Sequence, residues 1–117
     1  MAGSPVTDWY SQHFSSNIPE FDAQFLGAEG PGPGGPYFER SPVFFAGRSR
    51  TPTLLTAGQL DRCTPPGQAV EFHEALLASG VETELALYPE EGHGVRDALA
   101  LADFAARSCA WFDRWMG

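Results

Sequence analysis

Two residues in the second half of the chain have the types and positions of a catalytic acid–base pair. Asp61 follows a short apolar run, residues 53–57, and His93 lies in a glycine-flanked loop, residues 90–94. A carboxylate that accepts from one imidazole nitrogen fixes the tautomer and stabilises the imidazolium formed when the other nitrogen takes a proton. We therefore predict Asp61 as the acid and His93 as the general base.

Nucleophilic catalysis with such a pair also needs a nucleophile, and the sequence has no G-x-S-x-G motif. Ser4, in AGSPV, is the nearest imitation, but Pro5 stands where a nucleophile turn requires a small residue that opens a helix. Cys63 lies on the same loop as Asp61, and we interpret it as a small buried apolar residue. Neither residue is assigned as the nucleophile.

The other titratable residues do not indicate a second site. His13 and His73 are interpreted as surface or partly buried helix residues. Because the three histidines have neither HxxxH nor HxH spacing, we predict no metal site and no cofactor. The adjacent Glu90 and Glu91 are both expected to point to water.

The elements that must position Asp61 and His93 alternate between strand and helix. Apolar residues at three- and four-residue spacings indicate helices, whereas a period of two and short buried runs indicate strands. Thr64 before two prolines is predicted to cap a helix, and Gly80 to end it. The predicted elements are a strand at 53–57, a helix at 68–79, a strand at 81–88 and a helix at 97–116. This order predicts an α/β fold with a partial parallel sheet and flanking helices.

The first third of the chain carries weaker signals. A short helix is predicted around residues 16–25, and residues 27–36 (GAEGPGPGGP) are predicted to be a flexible loop. The opening AGSPVTDW is interpreted as a chain that starts in mid-domain.

In a parallel sheet, the loops that follow the strands share one edge, so Asp61 and His93 can meet there.

The segment TPTLLTAGQLDRCTPPGQAVEFHEALLASGVETELALYPEEGHG resembles the end of the catalytic domain of prolyl oligopeptidases and acylaminoacyl peptidases. It joins in order a T-P-x-L-L strand, a G-x-x-D turn, an R-C-x-P-P-x-Q helix start, a Y-P strand end and an E-G-H-G loop. The resemblance implies the C-terminal portion of an α/β-hydrolase fold. It also implies that Asp61 is the triad acid and His93 the base of a serine peptidase.

On this interpretation residues 1–117 form a single incomplete hydrolase domain that lacks the first strands and the nucleophile turn. We expect peptide or ester hydrolysis if another segment provides the serine. The alternative is a catalytically inactive α/β module that self-associates or binds a partner. Because a partial sheet exposes edges and an apolar face, homo-oligomerisation or fragment complementation is expected in either case.

Charge and hydropathy exclude several other classes. The formal net charge is −8, and only seven Lys and Arg residues are present, so a nucleic-acid partner is not predicted. No apolar run approaches the roughly 20 residues that span a bilayer, and no signal sequence is recognisable, so no membrane partner is predicted. Two cysteines do not suggest a disulfide framework. We expect a soluble, cytoplasmic chain.

Overall fold

The computed structural model describes residues 1–117. The strands are β1 (Ala2–Gly3), β2 (Thr53–Gly58) and β3 (Thr83–Tyr88). The helices are α1 (Trp9–Ser15), α2 (Pro19–Leu26), α3 (Gly35–Glu39), a 3₁₀-helix (Pro42–Arg48), α4 (Gly67–Ala78) and α5 (Ala98–Met116). None of the helices combines the length and apolar character required to cross a bilayer.

The three strands form a parallel sheet in the order β1-β2-β3, so β1 and β3 are both edge strands. Thr53 pairs with Thr83 and Gly58 with Tyr88, which brings the carboxyl ends of β2 and β3 level with each other. The loops that carry Asp61 and His93 therefore leave the sheet side by side. This confirms the predicted α/β fold with a small parallel sheet and flanking helices.

The core lies between one face of the sheet and α4. Its buried members, which come from the 3₁₀-helix, β2, α4 and the turn after α4, are Ala46, Leu55, Ala57, Ala69, Leu76 and Val81. Alternate residues of β3, Leu85 and Leu87, add to this face. Because side chains alternate along a strand, the intervening residues of β2 and β3 face away from α4.

Helix α5 covers part of the opposite face. Tyr88 donates a hydrogen bond to Asp103 Oδ2 at 3.0 Å, and Arg114 is paired with Glu82 at 2.9 Å. Trp111 is the only buried residue of α5. An amphipathic helix of 19 residues normally buries a continuous apolar stripe. Because only Trp111 is buried, most of the apolar side of α5 is exposed.

Helix α4 ends as the sequence predicts, but it does not begin as predicted. Gly80 has φ of 73°, and the amides of Gly80 and Val81 bond the carbonyls of Leu77 and Leu76, which is a Schellman ending. At the other end Pro66, not Thr64, occupies the N-cap position, so the predicted cap is wrong. The hydroxyl of Thr64 bonds Asp61 instead.

The first third of the chain differs most from the prediction. The helix predicted around residues 16–25 corresponds to α2, which begins three residues later at Pro19, and α1 lies before the predicted range. The loop predicted at 27–36 ends early, since α3 begins at Gly35. Residues 2–3, for which no strand was predicted, pair with β2.

The close approach of two loops at the end of β2 generates a prediction about Gly58. A Cβ atom at Gly58 would fall well inside van der Waals contact with the carbonyl oxygens of Glu91 and Gly92. We expect Gly58→Ala to lower the free energy of unfolding by about 1–3 kcal/mol, measured by urea denaturation. Gly67→Ala is the matched control, because a Cβ there meets nothing within 4 Å. Equal unfolding midpoints for the two variants would contradict the prediction.

Candidate active site

Asp61 and His93 form a hydrogen-bonded pair at the carboxyl edge of the sheet. His93 Nδ1 lies 2.9 Å from Asp61 Oδ2. The Asp61 side chain is completely buried, whereas that of His93 is 57% exposed. Because an ionised carboxylate only accepts hydrogen bonds, we assign the ring proton to Nδ1, which leaves Nε2 as a free base.

The buried carboxylate of Asp61 is held by three further hydrogen bonds. Its Oδ1 accepts from the amides of Cys63 and Thr64, both at 2.9 Å, and its Oδ2 accepts from the Thr64 hydroxyl at 3.0 Å. Burial alone would raise the pKa of Asp61, but the hydrogen bonds from His93, Thr64 and Cys63 outweigh it and lower that pKa. Asp61 is therefore ionised at neutral pH.

Thr64 belongs to this site, and the sequence reasoning missed it. Its hydroxyl lies 3.0 Å from Asp61 Oδ2 and 3.1 Å from His93 Nδ1, so it contacts both members of the pair. Ser and Thr side chains near an Asp commonly form such local bonds in turns. The D-x-x-T spacing could have indicated this role, but the two prolines after Thr64 favoured a helix cap.

Helix α1 holds the loop that carries Asp61. The carbonyl oxygen of Cys63 accepts from Gln12 Nε2 and from Ser16 Oγ, both at 2.8 Å. The amide of Asn17 donates to the carbonyl of Arg62 at 2.9 Å. Three hydrogen bonds, from α1 and the two residues that follow it, thus fix the two residues after Asp61.

A second buried amide, Gln68, joins the start of α1 to the start of α4. Its Oε1 accepts from the amides of Thr7 and Asp8, both at 2.9 Å, and its Nε2 donates to Ser11 Oγ at 2.7 Å. Gln68 is 2% exposed, so these partners replace the water that its amide would otherwise bind. Gln12 and Gln68 carry no sequence signal that separates them from surface glutamines.

A pocket of about 490 Å³ lies beside His93, between the sheet and α5. It is lined by residues of β1, β2, the His93 loop and α5, among them Gly3, Thr56, Gly58, Gly94 and Phe104. Ser4 also lines it, directly after β1, with φ of 45°, a backbone conformation uncommon for a residue other than glycine. The pocket gives a reacting group access to His93.

Cys63 does not act as a substitute nucleophile. Burial raises the pKa of its thiol, and the negative charges of Asp61 and Asp22 raise it further. A thiol needs a lowered pKa to become a reactive thiolate near neutral pH. Cys63 is only half-buried, which differs from the buried small residue that the sequence predicted.

Asp22 is a second buried aspartate, but it lacks the hydrogen bonds that Asp61 has. Neither of its carboxyl oxygens has a hydrogen-bond partner, and His13 Nδ1 lies 3.7 Å from Oδ2. Burial raises the pKa of Asp22, and attraction to His13 opposes this in part. The pKa values of the two buried aspartates therefore shift in opposite directions.

Comparison with known proteins assigns the chain to a family. A model of the prolyl oligopeptidase family matches residues 1–117. The acylamino-acid-releasing enzyme of Rattus norvegicus is 33% identical over 79 residues, which cover 68% of this chain and 11% of that enzyme. Dipeptidyl-peptidase 5 of Porphyromonas gingivalis is 30% identical over 94 residues, which cover 71% of this chain and 14% of the relative. The chain thus matches only a small part of each relative's length.

Solved structures of peptidases have the same fold as this chain. An acylaminoacyl peptidase from Pyrococcus horikoshii superposes with a TM-score of 0.89 at 22% identity, covering 97% of this chain and 19% of the other. A Mycobacterium tuberculosis puromycin-hydrolyzing peptidase superposes with a TM-score of 0.87 at 28% identity, covering 98% of this chain and 18% of the other. The whole arrangement of strands and helices is therefore shared.

The lowered pKa of Asp61 makes the stability of the chain depend on pH. Because the folded pKa lies below the unfolded one, ionised Asp61 stabilises the fold above the unfolded pKa of about 3.9, and this stabilisation is lost as pH falls through the folded pKa. We expect Asp61→Asn to lower the free energy of unfolding by about 2 kcal/mol or more at pH 7. The difference should shrink at acidic pH, measured by urea denaturation across a pH series.

Asp22→Asn is the matched control, because it makes the same change at a carboxylate with the opposite shift. Because the folded pKa of Asp22 is raised, the parent chain loses stability as pH rises from the unfolded pKa of Asp22 to its folded pKa. This variant should gain stability over the parent chain at neutral pH and lose that advantage in acid. A loss for Asp61→Asn that is equal at every pH would contradict the assigned role of its charge.

Proposed function

Because the chain belongs to the prolyl oligopeptidase family, we propose that it provides the acid, Asp61, and the base, His93, of a serine-peptidase active site. The observation that carries this proposal is the bond of 2.9 Å between His93 Nδ1 and the fully buried Asp61 carboxylate. An aspartate that merely occupied a turn would be expected to be exposed, whereas Asp61 is buried and accepts four hydrogen bonds. A buried carboxylate that holds an exposed imidazole matches the needs of a general base.

The chemistry follows from the two ring nitrogens of His93. Nδ1 donates to Asp61, so Nε2 can take a proton from a serine hydroxyl as that hydroxyl attacks a carbonyl carbon. The imidazolium that results is stabilised by the Asp61 charge, and it then returns the proton to the leaving amine. Deacylation repeats the cycle with water as the nucleophile.

We further propose that the nucleophilic serine comes from a segment outside these 117 residues, since the sequence has no G-x-S-x-G motif. The unpaired edge of β1 and the pocket beside His93 support this, because a strand added parallel to β1 would bring its following turn to the pocket. Ser4 has an unusual backbone and lines the pocket, but Pro5 follows it and β1 has only two residues. It is not the proposed nucleophile.

Peptides, including acylated peptides, are the proposed substrate class. The relatives are named as an acylamino-acid-releasing enzyme and a dipeptidyl-peptidase, and a structural neighbour is named as a puromycin-hydrolyzing peptidase. Two of these names contain the word peptidase, and the third describes the release of an acylated amino acid. A cytoplasmic location is part of the proposal, and two free cysteines support it.

The second candidate function is an inactive module that self-associates. The uncovered apolar stripe of α5 favours it, because Leu101 is 48% exposed, Phe112 43% and Met116 78%. Exposed apolar side chains along one helix face, next to a sheet with unpaired edges, favour association with a second copy or a complementing segment.

If the serine lies outside the chain, the isolated chain should not hydrolyse model substrates. We expect release of p-nitrophenol from p-nitrophenyl acetate, and of p-nitroaniline from aminoacyl p-nitroanilides, at the same rate for the parent chain and for His93→Ala. Without a nucleophile, a triad loses nearly all of its rate. A fluorophosphonate probe should likewise leave the chain unlabelled.

His73→Ala and Ser4→Ala are the controls for this assay. A parent rate well above background that His93→Ala abolishes and His73→Ala leaves intact would show an active site within the chain. If Ser4→Ala abolished it as well, Ser4 would be the nucleophile and the proposal of an external serine would be wrong.

If the exposed apolar side chains of α5 drive association, the chain should self-associate through that helix. We expect size-exclusion chromatography with light scattering to give a mass above that of one chain, and Leu101→Glu with Phe112→Glu to reduce it to one chain. Leu99→Glu is the matched control, because Leu99 is 83% exposed and lies about 200° around the helix from Leu101. A parent chain that is monomeric at all concentrations would rule out self-association.

A further inference from the structure

Glu91 is buried, although its position beside Glu90 predicts that both side chains point to water. It is 6% exposed, whereas Glu90 is exposed. Its carboxylate oxygens accept from two consecutive amides, with Oε2 2.9 Å from the amide of Arg96 and Oε1 2.7 Å from that of Asp97. A buried carboxylate with both oxygens paired to backbone is an anchored group.

These two hydrogen bonds close the loop that carries His93. Glu91 stands two residues before His93, and Arg96 and Asp97 stand three and four residues after it. Asp97 is the N-cap of α5, so the charge of Glu91 lies at a helix N-terminus, where amide dipoles favour an anion. The loop is thereby fixed to the beginning of α5.

The backbone of Glu91 ties the same loop to the one that carries Asp61. Its amide donates to the carbonyl of Tyr88 at 3.2 Å, and its carbonyl accepts from the amide of Leu60 at 2.9 Å. Leu60 is the neighbour of Asp61 in the chain. One residue is therefore bonded to β3, to the Asp61 loop and to α5.

His93 depends on this anchor because little else holds it. Its side chain is 57% exposed, and its hydrogen bonds are to Asp61 and Thr64 through one ring nitrogen. An exposed ring is not located by packing, so its position follows from the backbone that carries it. A shift of the loop of about 1 Å would lengthen the Nδ1 bond beyond hydrogen-bonding distance.

We propose that Glu91 is the positioning residue of His93: by bridging the amides of Arg96 and Asp97, it holds Nδ1 of His93 against Asp61. The importance of this for catalysis rests on the proposed function, but the hydrogen bond itself exists in the chain without catalysis. Glu91 acts through the loop and touches no reacting atom.

The test compares Glu91→Gln with Glu90→Gln by NMR of the full chain. Both variants replace one negative charge by a neutral amide at neighbouring positions, but only Glu91 bridges amides. An amide side chain can accept at one atom alone, so one of the two backbone N–H groups loses its acceptor. The readout is the low-field Nδ1 proton resonance of the His93–Asp61 hydrogen bond, assigned by its loss in His93→Ala.

We expect Glu91→Gln to abolish or broaden this resonance and to accelerate exchange of the Arg96 and Asp97 amides about tenfold or more. Amide protection in β2 and β3 should stay as in the parent chain, which a general loss of structure would not allow. Glu90→Gln should match the parent in all three readouts. Retention of the resonance and of both amide protections in Glu91→Gln would overturn the proposal.

A second variant covers the case in which Glu91→Gln does not fold. Glu91→Asp keeps the charge and shortens the side chain by one methylene, so it should retain the fold and weaken the same resonance. An unchanged resonance in Glu91→Asp would also overturn the proposal. None of these readouts measures hydrolysis, so the test is valid even if the chain is inactive. A negative result for Glu91 would likewise not bear on where the nucleophile comes from.

Discussion

The parallel register of β2 with β3 is the constraint on which the site depends. Because Gly58 is level with Tyr88, the two following loops leave the sheet side by side, and backbone bonds join Gln59 to Tyr88 and Leu60 to Glu91. This contact is so close that only a residue without a Cβ fits at the end of β2. A slip by one residue would reverse the faces of the strand and separate the two loops.

Asp61 is a buried charge at the edge where these two loops meet. Burying an ionised carboxylate costs several kcal/mol unless it is paired, and here four hydrogen bonds from three residues offset that cost. Asp22 shows the alternative, since it is equally buried without hydrogen bonds and its pKa is raised. The bonds, and not burial as such, keep Asp61 charged and able to hold an imidazolium.

The sequence predicts the elements that carry a periodic signal, and it misses those that depend on tertiary contacts. Strand β2, the end of α4 at Gly80, and α5 follow from apolar spacing and glycine placement. Strand β1 has two residues and exists only because β2 lies beside it. A threonine before prolines favours a helix start, yet α4 is capped at Pro66, and the Thr64 hydroxyl donates to Asp61 across the loop.

The same distinction applies to the site. Asp61 and His93 could be found from loop position, because parallel topology alone brings strand ends together. The residues that fix their geometry, Gln12, Gln68 and Glu91, are polar side chains of types that are usually exposed, and nothing local marks them as buried. All of these bonds are made within the chain, so the acid–base pair forms without any contribution from a nucleophile. Its presence therefore shows how the site is built, whereas the proposed hydrolysis requires in addition a serine that approaches Nε2.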